Sequence, residues 1–90
     1  MTGDEPLELK IDGILDLHTF RPQEVKDLVP EYLRACQKKG LHQVRIIHGK
    51  GTGALRSGVQ EYLKNHRSVK RIRFGEAGEG GTGVTVVEFK

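Results

Sequence analysis

The spacing of hydrophobic and polar residues changes along the chain, and each change indicates a separate element. Period-two alternation or a β-prone run predicts four strands, over residues 14–18, 42–48, 69–74 and 83–89. Two segments between them repeat their apolar residues at helical spacing, which predicts helices over 22–39 and 53–66. The predicted order is therefore strand, helix, strand, helix, strand, strand.

A proline lies inside the first predicted helix. Pro30 cannot donate a helical hydrogen bond, which costs about 3 kcal/mol where nothing compensates. The apolar stripe nevertheless continues in phase across it, so we expect one helix with a kink near 26–29 rather than two helices. Pro22 suits the first turn of this helix, and Gly40 is a stop signal after its last residue.

These elements predict an α/β fold. Because crossovers between parallel strands are right-handed, both helices should lie on one side of a mixed four-stranded sheet, giving a two-layer α/β sandwich of order β-α-β-α-β-β. The other face is then open to solvent or to a partner. Arg71 and Arg73 are expected there with Arg45, either as a solvated edge or as a platform for nucleic acid. Residues 1–6 are interpreted as a polar lead-in, and 7–90 as a single domain.

Composition limits the class of protein. Ninety residues suffice for one domain with a modest core. The single cysteine, Cys36, excludes an intramolecular disulfide and a thiolate metal cluster, and it suits a reducing compartment. A net charge of +3 favours polyanionic partners only weakly. No apolar run approaches the ~20 residues of a membrane span, and the N-terminus lacks a signal-peptide core, so we expect a cytoplasmic protein with no membrane partner.

Polar residues of catalytic type end the first two predicted strands. Asp16 and His18 end the first strand, and His48 ends the second. The carboxyl ends of parallel strands meet at one edge of a sheet, where the sites of such folds usually form beside the following helices. The sequence therefore predicts that these three side chains converge, although each one alone is also typical of a helix cap or a packed side chain.

Two glycine-rich segments each have two interpretations. In HGKGTG, residues 48–53, backbone N–H groups at a helix N-terminus can bind phosphate oxygens with help from Lys50, yet a tight turn needs the same glycines. Its spacing fits neither a Walker loop nor a dinucleotide fingerprint. In GGTG, residues 80–83, the glycines either form a turn before a buried strand or let the backbone approach a ligand closely.

Three blocks together resemble the small MutS-related (Smr) domain family: LDLH at 15–18, HGKGTG at 48–53 and GGTGVTVV at 80–87. The resemblance covers nearly the whole chain from about Leu7. It implies a fold similar to the C-terminal domain of bacterial translation initiation factor three, and a function in DNA nicking, RNA cleavage or nucleic-acid binding. The residues that match the family's functional blocks are Asp16, His18, His48, Gly49, Lys50, Gly51, Gly53, Gly81 and Gly83.

One position departs from the family pattern. Many members have glycine after LDLH, where this chain has Thr19. A threonine can cap the first helix, but it allows fewer backbone conformations beside the site than glycine does. The departure therefore affects the expected activity more than the expected fold. The chain has no ATPase portion, and we therefore expect a stand-alone domain.

The preferred function is that of an endonuclease. On RNA, His18 and His48 would exchange the general-base and general-acid roles while the 2′-hydroxyl attacks the adjacent phosphate. Asp16 would orient one imidazole, and Lys50 would stabilise the phosphate charge. DNA lacks the 2′-hydroxyl and needs an activated water, commonly with a divalent metal. A single carboxylate provides few of the oxygen ligands that such an ion prefers, so no cofactor is expected. Chemistry without a metal slightly favours RNA as the substrate.

Two further functions fit the same pattern. A non-catalytic DNA- or RNA-binding module would contact phosphates through basic side chains, and its affinity would fall with salt. The candidate basic residues are Lys50, Arg56, Arg71 and Arg73. A protein-interaction domain would instead use the open sheet face and would show no salt-sensitive binding to nucleic acid.

Overall fold

The computed structural model describes residues 10–18, 20–49 and 53–90. Its strands are β1 (Ile14–Asp16), β2 (Gln43–Ile47), β3 (Val69–Phe74) and β4 (Val84–Phe89), and its α-helices are α1 (Pro22–Lys38) and α2 (Ala54–Lys64). Two short 3₁₀ helices, Ala77–Glu79 and Gly81–Gly83, connect β3 to β4. The predicted order of strands and α-helices is confirmed. The predicted lead-in, residues 1–6, lies outside the described residues.

The four strands form one mixed sheet in the order β1-β2-β4-β3. β1 and β2 are parallel, while β4 runs antiparallel to both of its neighbours. β4 therefore lies inside the sheet although it is the last strand in the chain. Its central place explains its β-branched composition, because Val84, Thr85, Val86 and Val87 are all buried.

Both helices pack against the same face of the sheet and share one hydrophobic core with it. The strands contribute Leu15, Val44, Ile46, Val87 and Phe89, α1 contributes Val25, Val29, Tyr32, Leu33 and Cys36, and α2 contributes Val59 and Leu63. Full burial of such aliphatic side chains stabilises a fold by about 1.5–3 kcal/mol each, so this layer is the main source of stability. The predicted two-layer α/β sandwich is thereby confirmed. No helix in the described ranges has both the length and the hydropathy to cross a bilayer.

The first helix continues through Pro30 without a break, as the in-phase apolar stripe predicts. At its start, the Glu24 carboxylate accepts the backbone N–H of Arg21 at 2.7 Å. Further along, the hydroxyl oxygen of Tyr32 accepts the Gly13 N–H at 3.1 Å and so ties α1 to the bend that precedes β1. Burial raises the pKa of Tyr32 to about 12, which keeps this hydroxyl protonated. The helix thus fixes the start of the strand that carries the first site residues.

Candidate functional site

The predicted site residues lie along one edge of the sheet. Asp16 of β1 is opposite Ile47 of β2, which is in turn opposite Val84 of β4. Strand β3 ends beside them at Phe74. We call the line from Asp16 to Phe74 the carboxyl edge, because β1, β2 and β3 end there, whereas β4 begins there. The two α-helices also begin near this edge, since each follows a strand that ends there.

Asp16 and His18 form a side-chain pair at the carboxyl edge. The Nδ1 atom of His18 lies 2.5 Å from Oδ1 of Asp16, and the same oxygen accepts the His18 backbone N–H at 3.0 Å. The side chains are 45% and 66% exposed for Asp16 and His18 respectively. Because a carboxylate only accepts, Nδ1 carries the proton and Nε2 is left as the acceptor of the neutral ring.

The hydrogen bonds from His18 hold the pKa of Asp16 below its usual value, with the side-chain bond contributing most. The lowered pKa keeps Asp16 ionised at neutral pH and well into the acid range. An exposed pair of this kind adds at most about 1 kcal/mol to stability. Its main consequence is therefore orientation: Asp16 fixes the tautomer and the direction of the His18 ring.

His48 is held differently, inside the protein. It is 6% exposed, and its Nε2 lies 2.7 Å from Oγ1 of Thr85 while its Nδ1 lies 3.0 Å from the carbonyl oxygen of Gly49. The carbonyl can only accept, so Nδ1 donates and the neutral Nε2 accepts from the Thr85 hydroxyl. Gln60 of α2 donates in turn to the same hydroxyl oxygen at 3.3 Å. These bonds form a continuous chain from α2 through β4 to the glycine loop.

The structure brings Asp16 and His18 together and places His48 apart from them. Successive residues of a strand point to opposite faces, so Asp16, in register with Ile47, faces away from the side on which the next residue, His48, lies. Asp16 is on the open face, and His48 is on the helix face. Within the described part of the chain, no three His, Cys, Asp or Glu side chains are arranged to hold a metal ion.

Two glycines of the HGKGTG segment have backbone conformations that favour glycine. Gly49 has a φ of +83°, and Gly53, immediately before α2, has a φ of +86°. Among the residues that the structure describes, none would lie within 4 Å of a Cβ at Gly49. These values suit the interpretation as a tight turn, and binding of a ligand by this segment stays a prediction. Lys50 and Gly51 lie outside the described residues, as does Thr19 at the other strand end.

The carbonyl groups of the second glycine segment accept backbone hydrogen bonds from residues that follow β2 and β3 at the carboxyl edge. The oxygen of Gly83 accepts the N–H groups of His48 and Gly49 at 3.0 and 2.9 Å, and Gly83 is buried. The oxygen of Gly81 accepts the N–H of Gly75 at 3.1 Å. Both predicted binding glycines thus make internal backbone bonds, and a role in binding nucleic acid stays a prediction.

The predicted basic contacts fall into two groups. Arg71 pairs with Glu88 at 2.7 Å, and Arg73 pairs with Glu79 through two bonds of 2.9 and 3.3 Å. The bond from Arg73 lowers the pKa of Glu79 to about 2, so this carboxylate stays charged. Arg56, by contrast, forms no ion pair with any described residue, and its Cζ lies 5.8 Å from the centre of the Phe74 ring. Arg56 therefore keeps its charge available at the carboxyl edge.

Comparison with known proteins now identifies the family. The family model for the Smr domain matches residues 15–90. This chain belongs to the Smr domain family. The family predicted from the three sequence blocks is confirmed, and the match covers Asp16, His18 and His48.

Several relatives resemble this Smr domain closely. It is 62% identical over 89 residues to the endonuclease MutS2 of Listeria welshimeri, which covers 99% of this chain and 11% of the relative. It is 62% identical over 76 residues to the putative endonuclease MutS2 of Bacillus subtilis, which covers 84% of this chain and 10% of the relative. The chain thus spans about a tenth of the length of these curated relatives.

Solved structures share the fold of this Smr domain. The Smr domain of Thermus thermophilus MutS2 matches with a TM-score of 0.81 and 38% identity, over 86% of this chain and 96% of that one. YdaL, a stand-alone small MutS-related protein from Escherichia coli, matches with a TM-score of 0.82 and 26% identity, over 87% of this chain and 64% of that one. Both matches agree with the two-layer architecture described above.

Three residues of this Smr domain enter the site without having been predicted for it. Thr85 forms a hydrogen bond with His48, and Gln60 donates one to Thr85. The ring of Phe74 makes a cation–π contact with the Arg56 guanidinium. In the sequence, Thr85 and Phe74 are ordinary strand residues and Gln60 is a polar helix position. Their roles depend on the pairing of β2, β3 and β4, which local periodicity does not specify.

Proposed function

We propose that this Smr domain cleaves phosphodiester bonds in nucleic acid, with RNA as the favoured substrate. The observation that carries the proposal is the Asp16–His18 pair, in which the carboxylate holds Nδ1 and leaves Nε2 of an exposed ring to meet a ligand. A carboxylate-oriented imidazole is the arrangement that general acid–base catalysis uses. The names of the MutS2 relatives, which describe them as endonucleases, support the same class of reaction.

On RNA, the proposed reaction needs no group that the chain lacks. Nε2 of His18 takes the proton of a 2′-hydroxyl, and the 2′-oxygen forms a bond to the adjacent phosphorus. The bond from phosphorus to the 5′-oxygen breaks, which gives a cyclic phosphate end and a 5′-hydroxyl end. Asp16 stabilises the imidazolium that forms on His18. The leaving 5′-oxygen takes up one proton. His48, the candidate predicted from sequence, can donate it only as the doubly protonated imidazolium with its Nε2 released from Thr85.

The hydrogen bonds of His48 favour a positioning role over that of a general acid. Both of its ring nitrogens are occupied, one by Gly49 and one by Thr85. A general-acid role requires the bond to Thr85 to open, whereas the closed arrangement holds the start of the glycine loop against β4. In the proposal, His48 first acts as a positioning residue that fixes the loop beside the phosphate.

The test compares variants of the two histidine environments on defined substrates. Labelled single-stranded RNA, double-stranded RNA and plasmid DNA are incubated with the protein, with and without EDTA. We expect His18→Gln and Asp16→Asn to lower the rate of RNA cleavage by about 10²–10⁴-fold, the usual contribution of a positioned proton-transfer group. His42→Gln serves as the matched control, because His42 is exposed and immediately precedes β2, at the end of the strand opposite to the carboxyl edge.

Each other outcome has a definite meaning. A wild-type protein that leaves every substrate intact rejects the nuclease proposal for these substrates. If the same protein still binds RNA or DNA with an affinity that falls with salt, the non-catalytic binding module is the better description. Loss of cleavage in EDTA would show that an activated water on a metal ion replaces the 2′-hydroxyl chemistry.

A further inference from the structure

Phe74 exposes an aromatic ring at the carboxyl edge. Among the described residues, three large apolar side chains are strongly exposed, namely Ile14, Tyr62 and Phe74, and the last is 44% exposed. Phe74 is the final residue of β3, so its ring lies at the same end of the sheet as the Asp16–His18 pair. The exposed ring therefore offers apolar π surface to a ligand at this edge.

Arg56 supplies the positive charge beside this ring. Its Cζ lies 5.8 Å from the ring centre, within the range of a cation–π contact. The guanidinium also borders Gly53, where a Cβ would come within 3.0 Å of an Arg56 nitrogen. Arg71 and Arg73 form ion pairs with glutamates, whereas Arg56 forms none with a described carboxylate. The two side chains together offer flat π surface and one uncompensated positive charge.

We propose that Arg56 and Phe74 form a stacking site for an unpaired base of single-stranded nucleic acid. Aromatic rings and guanidinium planes are the groups on which splayed bases stack, and the charge attracts the neighbouring phosphate. A duplex keeps its bases paired inside and cannot offer one to this pair. The inference rests on the proposed function only in that it places the strand along the same edge as His18.

The width of the sheet sets the distance between the two sites. Asp16 lies on β1 and Phe74 on β3, three strand spacings apart in the order β1-β2-β4-β3, which is about 14 Å. Phe74 is in register with Thr85 on the helix face, whereas Asp16 lies on the open face, so a strand that reaches both must cross the carboxyl edge. At about 3.4 Å per nucleotide, the stacked base would lie at least about four nucleotides from the bond whose cleavage His18 assists. The site therefore specifies a single-stranded stretch beside the cleavage position.

A fluorescence experiment tests the stacking directly. The chain contains no tryptophan, so Phe74→Trp introduces a single reporter at the proposed site. The probe is a short single-stranded RNA that is 2′-O-methylated, so that no 2′-hydroxyl can attack. We expect saturable quenching of the introduced tryptophan by this RNA and by single-stranded DNA of the same sequence, but not by the matching duplex. Tyr62→Trp is the control, since Tyr62 is exposed on α2 two turns from its start and should show no quenching.

Binding by side-chain variants gives the second measurement. Phe74→Leu should weaken binding of the single-stranded probe by about 5- to 150-fold, the usual effect of removing one stacking ring, while Phe74→Tyr keeps wild-type affinity. Thermal unfolding of each variant shows whether the fold is intact. Phe74→Leu with wild-type affinity, or an unquenched tryptophan at position 74, overturns the proposal.

The binding measurements separate this inference from the proposed function. Quenching in a protein that cleaves nothing would reject the nuclease and retain the stacking site. Cleavage that depends on His18 but is indifferent to Phe74→Leu would retain the nuclease and reject the stacking site. Equal quenching by duplex and single strand would also reject it, since a paired base cannot stack on the ring.

Discussion

The two histidines at the carboxyl edge differ in how many ring nitrogens the protein itself occupies. His18 gives one nitrogen to Asp16 and presents the other outward, whereas His48 has both nitrogens bonded to Gly49 and Thr85. A ring with a nitrogen left over can exchange a proton with a ligand. A ring with both nitrogens used instead fixes the groups around it. The two histidines are therefore suited to different tasks, His18 to proton exchange with a ligand and His48 to holding the groups around it in place.

Removal of the Thr85 hydroxyl should destabilise the protein through His48. Thr85→Val keeps the shape of the side chain but leaves Nε2 of His48 and the Gln60 amide without their shared partner. We expect the free energy of unfolding to fall by about 1–3 kcal/mol in urea denaturation, because a buried polar group is left unsatisfied. Thr85→Ser is the matched control that retains the hydroxyl. A Thr85→Val protein as stable as the wild type would show that the hydroxyl contributes nothing to stability here.

The connection from β3 to β4 is held by hydrogen bonds and an ion pair between its own residues and the end of β3. The Glu79 carboxylate accepts the backbone N–H of Glu76 at 2.8 Å and also pairs with Arg73 at the end of β3. Gly80 joins its two 3₁₀ helices with a φ of +110°, a conformation that other residues rarely adopt. This connection holds Gly83 where its carbonyl accepts from the end of β2.

Gly80→Ala should disrupt this connection, and a neighbouring glycine provides the comparison. A Cβ at position 80 would lie 2.5 Å from Cγ2 of Val84 and would also force alanine into a positive φ. We expect a loss of about 1–3 kcal/mol in the free energy of unfolding, measured in urea. Gly78→Ala should be nearly neutral, because a Cβ there would meet no described residue within 4 Å. A neutral Gly80→Ala would mean that the connection rearranges without cost.

Periodicity predicted the elements well because burial in this fold follows the local pattern. The stripe through Val25, Val29 and Leu33 predicted α1 correctly even across Pro30, since these side chains all reach the same core. Local periodicity does not predict which side chains distant in sequence contact each other. His48 was expected to meet Asp16, yet it bonds Thr85, 37 residues away, because the antiparallel pairing of β4 with β2 sets that contact. The exposure of Phe74 likewise depends on which strand ends at the sheet border.

At the scale of the whole molecule, one core joins both helices to one face of the sheet. Cys36 lies in the middle of it, fully buried on α1. Burial raises the pKa of its thiol, so little of the reactive thiolate forms near neutral pH. The thiol is therefore shielded twice, by the packing around it and by its protonation.

Labelling of Cys36 should report the unfolding of the entire domain. A thiol-specific disulfide reagent should react slowly in native buffer and rapidly in denaturant. The labelled fraction across a urea series should follow the unfolding curve measured by circular dichroism, because Cys36 is fully buried in the core that both helices share with the sheet. Rapid reaction in native buffer would show that α1 detaches locally from the sheet.

The central position of β4 has a consequence for the order in which the protein is made. β2 and β3 both form their hydrogen bonds with β4, and β4 is the last strand of the domain to leave the ribosome. Until it emerges, β3 has no neighbouring strand, and β2 is paired on one side only. Assembly of the sheet therefore depends on contacts between residues distant in sequence, and such contacts slow folding. A nascent chain stalled before residue 84 would expose unpaired strand edges and depend on whatever shields them.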